Sequence, residues 1–200
     1  DDTKRNTGGM RLLSILCPAF IYTSPLLIGG IIGRDLATTH TVRALNRSAV
    51  PDVDCVQADI ADFEAIRPAF DNVDTVIHMA AYLENDFDAH IAVNVRGTYN
   101  VFEAARQASA RRIVLASSGA VTYRYETEEP YLSLVEARWN DVDDDVVPID
   151  HLSPMRPNGL YGAAKVWGEA LGRYYSEEYG LSVICLRIGR VVEEDRPHNA

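Results

Sequence analysis

Short apolar runs alternate with amphipathic stretches along most of this chain. Residues 41–45, 53–58, 75–79, 112–116 and 181–188 each carry several β-branched or aliphatic positions within four to eight residues, which predicts strands. Between them the spacing changes to that of a helix. Phe63, Ile66 and Phe70 stand at i, i+3 and i+7 behind Asp62, a natural helix cap. Val95, Phe102 and Ala105 share one face of a helix over residues 91–108, and residues 161–179 form a helix that Gly180 can end in the left-handed conformation. Strands alternating with helices mean crossover connections, so the predicted class is α/β: a doubly wound parallel sheet with helices on both faces. Ligands bind such sheets at the carboxyl ends of the strands, which directs the search for chemistry to the residues after each strand.

Two segments break the alternation. Residues 12–33 carry no charge and have Arg11 before them and Arg34 after. Length and flanks suit a membrane span or signal peptide, but Pro18, Pro25, Gly29, Gly30 and Gly33 favour a buried strand followed by a glycine turn and a helix start. Residues 126–150 hold nine acidic side chains and one basic one, the pattern of a solvated surface insertion and not of a metal site. The chain as a whole is 47% hydrophobic and 24% charged with a net charge of −10, so it has the composition of a folded domain. It lacks the basic clusters of a nucleic-acid binder. Cys17, Cys55 and Cys185 are odd in number and far apart, which suits a reducing, cytoplasmic setting. Five scattered histidines give no metal-ligand spacing.

Taken in order, the strand ends present a coherent set. Gly30 and Gly33 have the spacing of the second half of a G-x-x-G-x-x-G turn opening a helix, where bare backbone can approach a pyrophosphate; Leu27 stands where the first glycine would be. Asn46 and Arg47 end the next strand, 13 residues past Gly33, where an adenosine ribose is read. Asn46 could bond a ribose hydroxyl and Arg47 a 2′-phosphate, so NAD and NADP both remain open. Asp59, with the Ile60 backbone, could accept from an adenine amino group, while Asp62 caps the helix that follows.

The strongest constellation is Ser118 with Tyr161 and Lys165. Tyrosine and lysine four apart share a helix face, and an ammonium beside a phenol lowers its pKa from ~10 towards neutrality. Tyr161 could then exchange a proton with a substrate hydroxyl while Ser118 orients the same oxygen.

With these residues in place, the chain resembles an extended short-chain dehydrogenase/reductase of the NAD-dependent epimerase/dehydratase group. The resemblance rests on the segments 59–62 (DIAD), 74–81 (DTVIHMAA), 94–98 (NVRGT), 116–118 (ASS), 161–165 (YGAAK) and 186–189 (LRIG), and covers residues 41–198. Residues 156–169 with 187–189 are similar in particular to the uronate dehydrogenase branch. The resemblance implies a Rossmann fold, a catalytic trio of Ser118, Tyr161 and Lys165, Ala80, Ala81 and Ile188 near the nicotinamide and ribose, and Asn94 supporting the site. It also implies NAD or NADP as cofactor, a sugar-like small-molecule substrate, and a homodimer through the helices around residues 91–108 and 161–179. Residues 1–9 then read as a tag or leader and 10–200 as the dinucleotide-binding domain, with most of the substrate-binding C-terminal part missing.

This chain departs from that branch at two places that touch substrate there: Gly119-Ala120 stand for Asn-His, and Arg190 for Ser. The expected activity is oxidation of a sugar or sugar-acid hydroxyl. Its alternatives are a nucleotide-sugar epimerase or dehydratase, in which the cofactor is regenerated within one cycle, and a catalytically idle dinucleotide binder.

Overall fold

The computed structural model describes residues 11–15, 25–51 and 53–191. Six strands form one sheet: β1 (Arg11–Ile15), β2 (Thr41–Asn46), β3 (Asp54–Gln57), β4 (Thr75–His78), β5 (Arg112–Ser118) and β6 (Ser182–Ile188). Their order is β3-β2-β1-β4-β5-β6, and every neighbouring pair is parallel. The order reverses direction between β1 and β4, which is where a doubly wound sheet opens a crevice. The predicted fold class is therefore the observed one.

The helices are α1 (Pro25–Ala37), α2 (Phe63–Ile66), α3 (Phe87–Ala89), α4 (Thr98–Gln107), α5 (Tyr131–Val135) and α6 (Gly159–Tyr179). Asp62 caps α2 by accepting from the Ala65 amide at 3.1 Å, and a 3₁₀ turn extends that helix to Phe70. Gly180 ends α6 at φ 69°, as its position after the last apolar residue predicts. The core lies where α4 and α6 meet the sheet. Phe102 and Tyr175 pack ring to ring at 5.3 Å over Ile113 and Leu115 of β5, and the Tyr175 hydroxyl donates to Glu103 at 3.1 Å.

Two expectations change. The helix expected over 91–108 starts earlier, at Asp86, which caps the Ala89 amide at 2.8 Å, and its first half (His90–Gly97) is wound as a π-helix. The wide turns arise where the Asn94 side chain leaves the helix surface to bond the main chain of Tyr82. A 3.6-residue period cannot register such a widening.

The second correction concerns Gly30 and Gly33. The helix already begins at Pro25, so the two glycines are its sixth and ninth residues and do not form the turn that opens it. A Cβ at Gly33 would meet nothing within 4 Å, and one at Gly30 only the end of Arg34 at 3.5 Å, so no close approach among the described residues requires glycine there. The connection from β1 to α1, and with it Cys17 and Pro18, lies outside the described residues. Among the described residues no helix is long and apolar enough to cross a membrane.

The acidic insertion lies on the surface, as its composition predicts. Its charges are mostly exposed and no group of side chains there could hold a metal among the described residues, but it is folded. The lone base of residues 126–150, Arg138, reaches Glu129, Glu136 and Asp141, each at 2.8 Å. Arg156 holds Glu128 at 2.6 Å. Exposed pairs stabilise little one by one; a single guanidinium serving three carboxylates fixes a geometry.

Candidate active site

β5 ends in Ser118, and the pairing register sets Ile188 of β6 directly beside it. The Ser118 hydroxyl accepts from the Ala120 amide at 3.1 Å, which caps a short 3₁₀ turn (Gly119–Val121) and fixes the side chain. α6 runs across this turn at very short range. Gly162 faces the Ala120 carbonyl so closely that a Cβ would stand 2.5 Å from its oxygen. That contact brings Tyr161, one residue earlier, into hydrogen-bond reach of Ser118. One turn further along α6, Lys165 is buried, with its ammonium 5.5 Å from the Tyr161 ring and donating to the Ala116 carbonyl at 2.6 Å.

The three side chains thus converge, but the electrostatics differ from the simple expectation. Burial pushes the Tyr161 phenol above its ordinary value; the Ser118 hydrogen bond opposes this, and the phenol of Tyr123 adds to it. Burial is the largest influence on the phenol and outweighs the Ser118 contact, while the Lys165 ammonium donates to the β5 carbonyl and lies over the ring.

A further clasp braces the same strand ends. Glu169, one turn beyond Lys165, accepts from Ser117 at 2.6 Å and from Nε and Nη2 of Arg187 at 3.0 and 2.9 Å. It ties α6 to β5 and β6 beside Ser118 and Ile188. Glu169 stands four residues after Lys165 and Arg187 directly before Ile188, and that spacing is the only sequence signal of the clasp.

On the neighbouring strands, Ala80 is buried and Ala81 partly so, directly after β4. Asn94 fixes the loop that follows, accepting from the Tyr82 amide at 2.7 Å and donating to its carbonyl at 2.8 Å, with His90 at 2.8 Å from its amide nitrogen. Asp59 accepts from the Ala61 amide at 2.9 Å, and Asn100 of α4 holds the Ile60 carbonyl at 2.8 Å, a contact that only the fold reveals. Asn46 is buried at the end of β2; its amide donates to Ser48 at 2.9 Å, while its carbonyl oxygen has no hydrogen-bond partner. Arg47 beside it is exposed. A buried acceptor without a donor, at the carboxyl end of the strand next to β1, suits a ribose hydroxyl, so the residues present fit a dinucleotide. Asn46, Asp59, Ile60, Ala80, Ala81 and Ile188 would hold it.

His78 lies beneath the site at the end of β4. Its Nε2 meets the Thr98 hydroxyl at 3.1 Å and its Nδ1 has no partner. Burial, assisted by the nearby Lys165 charge, lowers its pKa from 6.5 to about 3. Between those values the unfolded chain binds a proton that the folded chain does not, so stability falls as the pH is lowered through this window. Glu103, held at about 2 by its hydrogen bond with Arg106, contributes only below its unfolded value of 4.5. We expect the urea midpoint to drop between pH 6.5 and 5, and His78→Gln, which can keep the Thr98 contact, to flatten that slope. An unchanged slope in the variant would mean that other groups carry the pH dependence.

Comparison with known proteins agrees with this geometry. Residues 28–199 match the model of the NAD dependent epimerase/dehydratase family. The L-arabinose 1-dehydrogenase (NAD(P)(+)) of Haloferax volcanii is 35% identical over 170 residues, which are 84% of this chain and 65% of that protein. An NAD-dependent glucose-6-phosphate dehydrogenase of the same organism is 32% identical over 86% of this chain and 71% of its own length. The crystal structure of uronate dehydrogenase from Agrobacterium tumefaciens superimposes with a TM-score of 0.73 at 28% identity, over 94% of this chain and 64% of that one. The chain therefore spans about two thirds of the arabinose dehydrogenase and of the uronate dehydrogenase. With strand order, site geometry and sequence in agreement, this chain belongs to the NAD-dependent epimerase/dehydratase family.

Proposed function

We propose that this chain carries the dinucleotide-binding and catalytic part of an NAD(P)-dependent oxidoreductase acting on a hydroxyl of a sugar or sugar acid. The observation that carries the reading is the meeting of Tyr161 with Ser118 while Lys165 is buried against the Tyr161 ring. Tyr161 takes the proton of the substrate hydroxyl, and its upward-shifted phenol sets the activity to rise with pH. Ser118 holds that oxygen in line. Lys165 keeps a positive charge beside the ring and stabilises the phenolate as it forms. What the dinucleotide supplies, when bound, is the ring carbon that accepts the hydrogen leaving the substrate carbon with its electron pair. Asn94 and Glu169 hold the two sides of the crevice in register.

The dehydrogenase names of the relatives favour net oxidation over an epimerase cycle. Tyr99, Trp167 and Tyr174 leave aromatic surface exposed on α4 and α6, which suits a homodimer through those helices. The thiols of Cys55 and Cys185 are unpaired, in keeping with a cytoplasmic setting.

The test is a panel of aldoses, uronates and sugar phosphates, each with NAD and with NADP, followed at the nicotinamide absorbance and by product analysis. Net cofactor reduction with at least one sugar is expected. Epimer formation without net reduction would replace the dehydrogenase reading, and tight dinucleotide binding without turnover would leave the idle binder.

A further inference from the structure

We propose that Tyr123 is a specificity-determining residue whose phenol hydroxyl bonds a hydroxyl of the sugar beside its reacting carbon. The proposal rests on the oxidoreductase reading above and adds a substrate contact to it. It starts from Gly119, the residue after Ser118. A Cβ built there would lie 2.5 Å from Cε1 of Tyr123, 2.7 Å from its hydroxyl oxygen and 2.8 Å from Cζ. The polar end of the Tyr123 ring thus fills the space in which residue 119 would otherwise place its own side chain, next to the serine that orients the substrate oxygen. Glycine here is the condition for that placement, since side chains essentially never approach so closely.

The backbone leaves Tyr123 little freedom. Thr122 donates to the Gly119 carbonyl from its amide at 2.9 Å and from its hydroxyl at 3.1 Å. On either side, Arg156 donates to the Val121 carbonyl at 2.9 Å and Arg124 to the Arg156 carbonyl at 3.0 Å. The base of the acidic insertion is thereby sewn to the segment leading into α6, with Tyr123 between the stitches.

Two further observations aim the phenol at the site. Tyr123 stands near enough to Tyr161 to help raise the pKa of that phenol, so the two hydroxyl-bearing rings lie within electrostatic reach of each other. The next two tyrosines of the insertion use their hydroxyls on main chain, Tyr125 donating to Pro154 at 3.1 Å and Tyr131 to Val147 at 2.7 Å. The Tyr123 hydroxyl has no hydrogen-bond partner among the described residues. A half-buried phenol beside Ser118 and Tyr161, with its donor and acceptor uncommitted, is suited to a polyhydroxylated ligand.

The experiment uses the full chain and a sugar on which the wild type is active. Tyr123→Phe should raise KM for that sugar about tenfold, as loss of one hydrogen bond predicts, with a smaller change in kcat and an unchanged KM for the dinucleotide. The preference for the sugar over its deoxy analogues should shrink with it, an effect that loss of structure alone would not produce. Gly119→Ala should displace the ring and raise the same KM, and adding Tyr123→Phe to it should cost little more. A wild-type KM and deoxy preference in Tyr123→Phe would overturn the assignment of Tyr123 while leaving the enzyme reading intact. Absence of turnover by the wild type on every sugar would overturn both.

Discussion

Replacing Tyr161 with phenylalanine lowers kcat by about 10²–10⁴-fold, the range for a positioned proton-transfer group, and leaves dinucleotide affinity nearly unchanged. The phenyl ring keeps the shape of the buried side chain and the contact with Lys165, so the fold has no reason to respond. What disappears is the oxygen that meets Ser118. Because burial holds the wild-type phenol above its ordinary pKa, the wild-type rate should climb with pH on the alkaline side of neutrality. The residual activity of Tyr161→Phe should lack that rise. Initial rates from about pH 6 to about pH 10, with dinucleotide titrations on the same samples, check both points. Wild-type turnover by the variant would remove Tyr161 from the chemistry.

Gly162→Ala tests the scaffold under that chemistry. The added methyl meets the Ala120 carbonyl oxygen at 2.5 Å, its carbon at 3.2 Å and Pro157 at 3.2 Å. Neither backbone segment yields easily, since the Ala120 carbonyl already accepts from the Asn158 amide at 3.0 Å. The start of α6 must move away from the turn that holds Ser118. We expect a loss of ~1–3 kcal/mol in stability from the overpacking and a fall of about 10²-fold in kcat/KM from misplacing Tyr161 by a fraction of its working distance. Urea unfolding and steady-state kinetics on one preparation separate the two effects. Equal activity in variant and wild type would mean that the helix and the turn are not coupled as the geometry demands.

The sequence made the scaffold legible because each strand and helix has its own apolar period, and the parallel order then follows from the crossovers. The trio was legible for a similar reason: the Tyr161–Lys165 spacing is a property of one helix, and Ser118 closes a readable strand. The π-wound stretch was not, because Asn94 widens the helix through a bond to Tyr82, twelve residues away, and no local period records it. Gly30 and Gly33 were misplaced because a spacing of three fits a turn and a helix interior equally well, and only the start of α1 at Pro25 decides. Glu169, Asn100 and Tyr123 share another difficulty. Their partners lie on other elements, so their roles exist only once β5, β6, α4 and α6 are assembled.

That assembly also governs how the molecule reaches its native state. The Arg112 side chain of β5 reaches Ser182 of β6 across 70 residues of sequence, and β1 pairs with β4 only after two other strands and two helices have been laid down. Loops of this size must close before any contact rewards them, which puts the chain among slow-folding topologies. Ser118 and Ile188 become neighbours only when β6 docks on β5. The Ser118 end of the candidate site is therefore completed only when β6 takes its place beside β5, and until then its two sides stand apart.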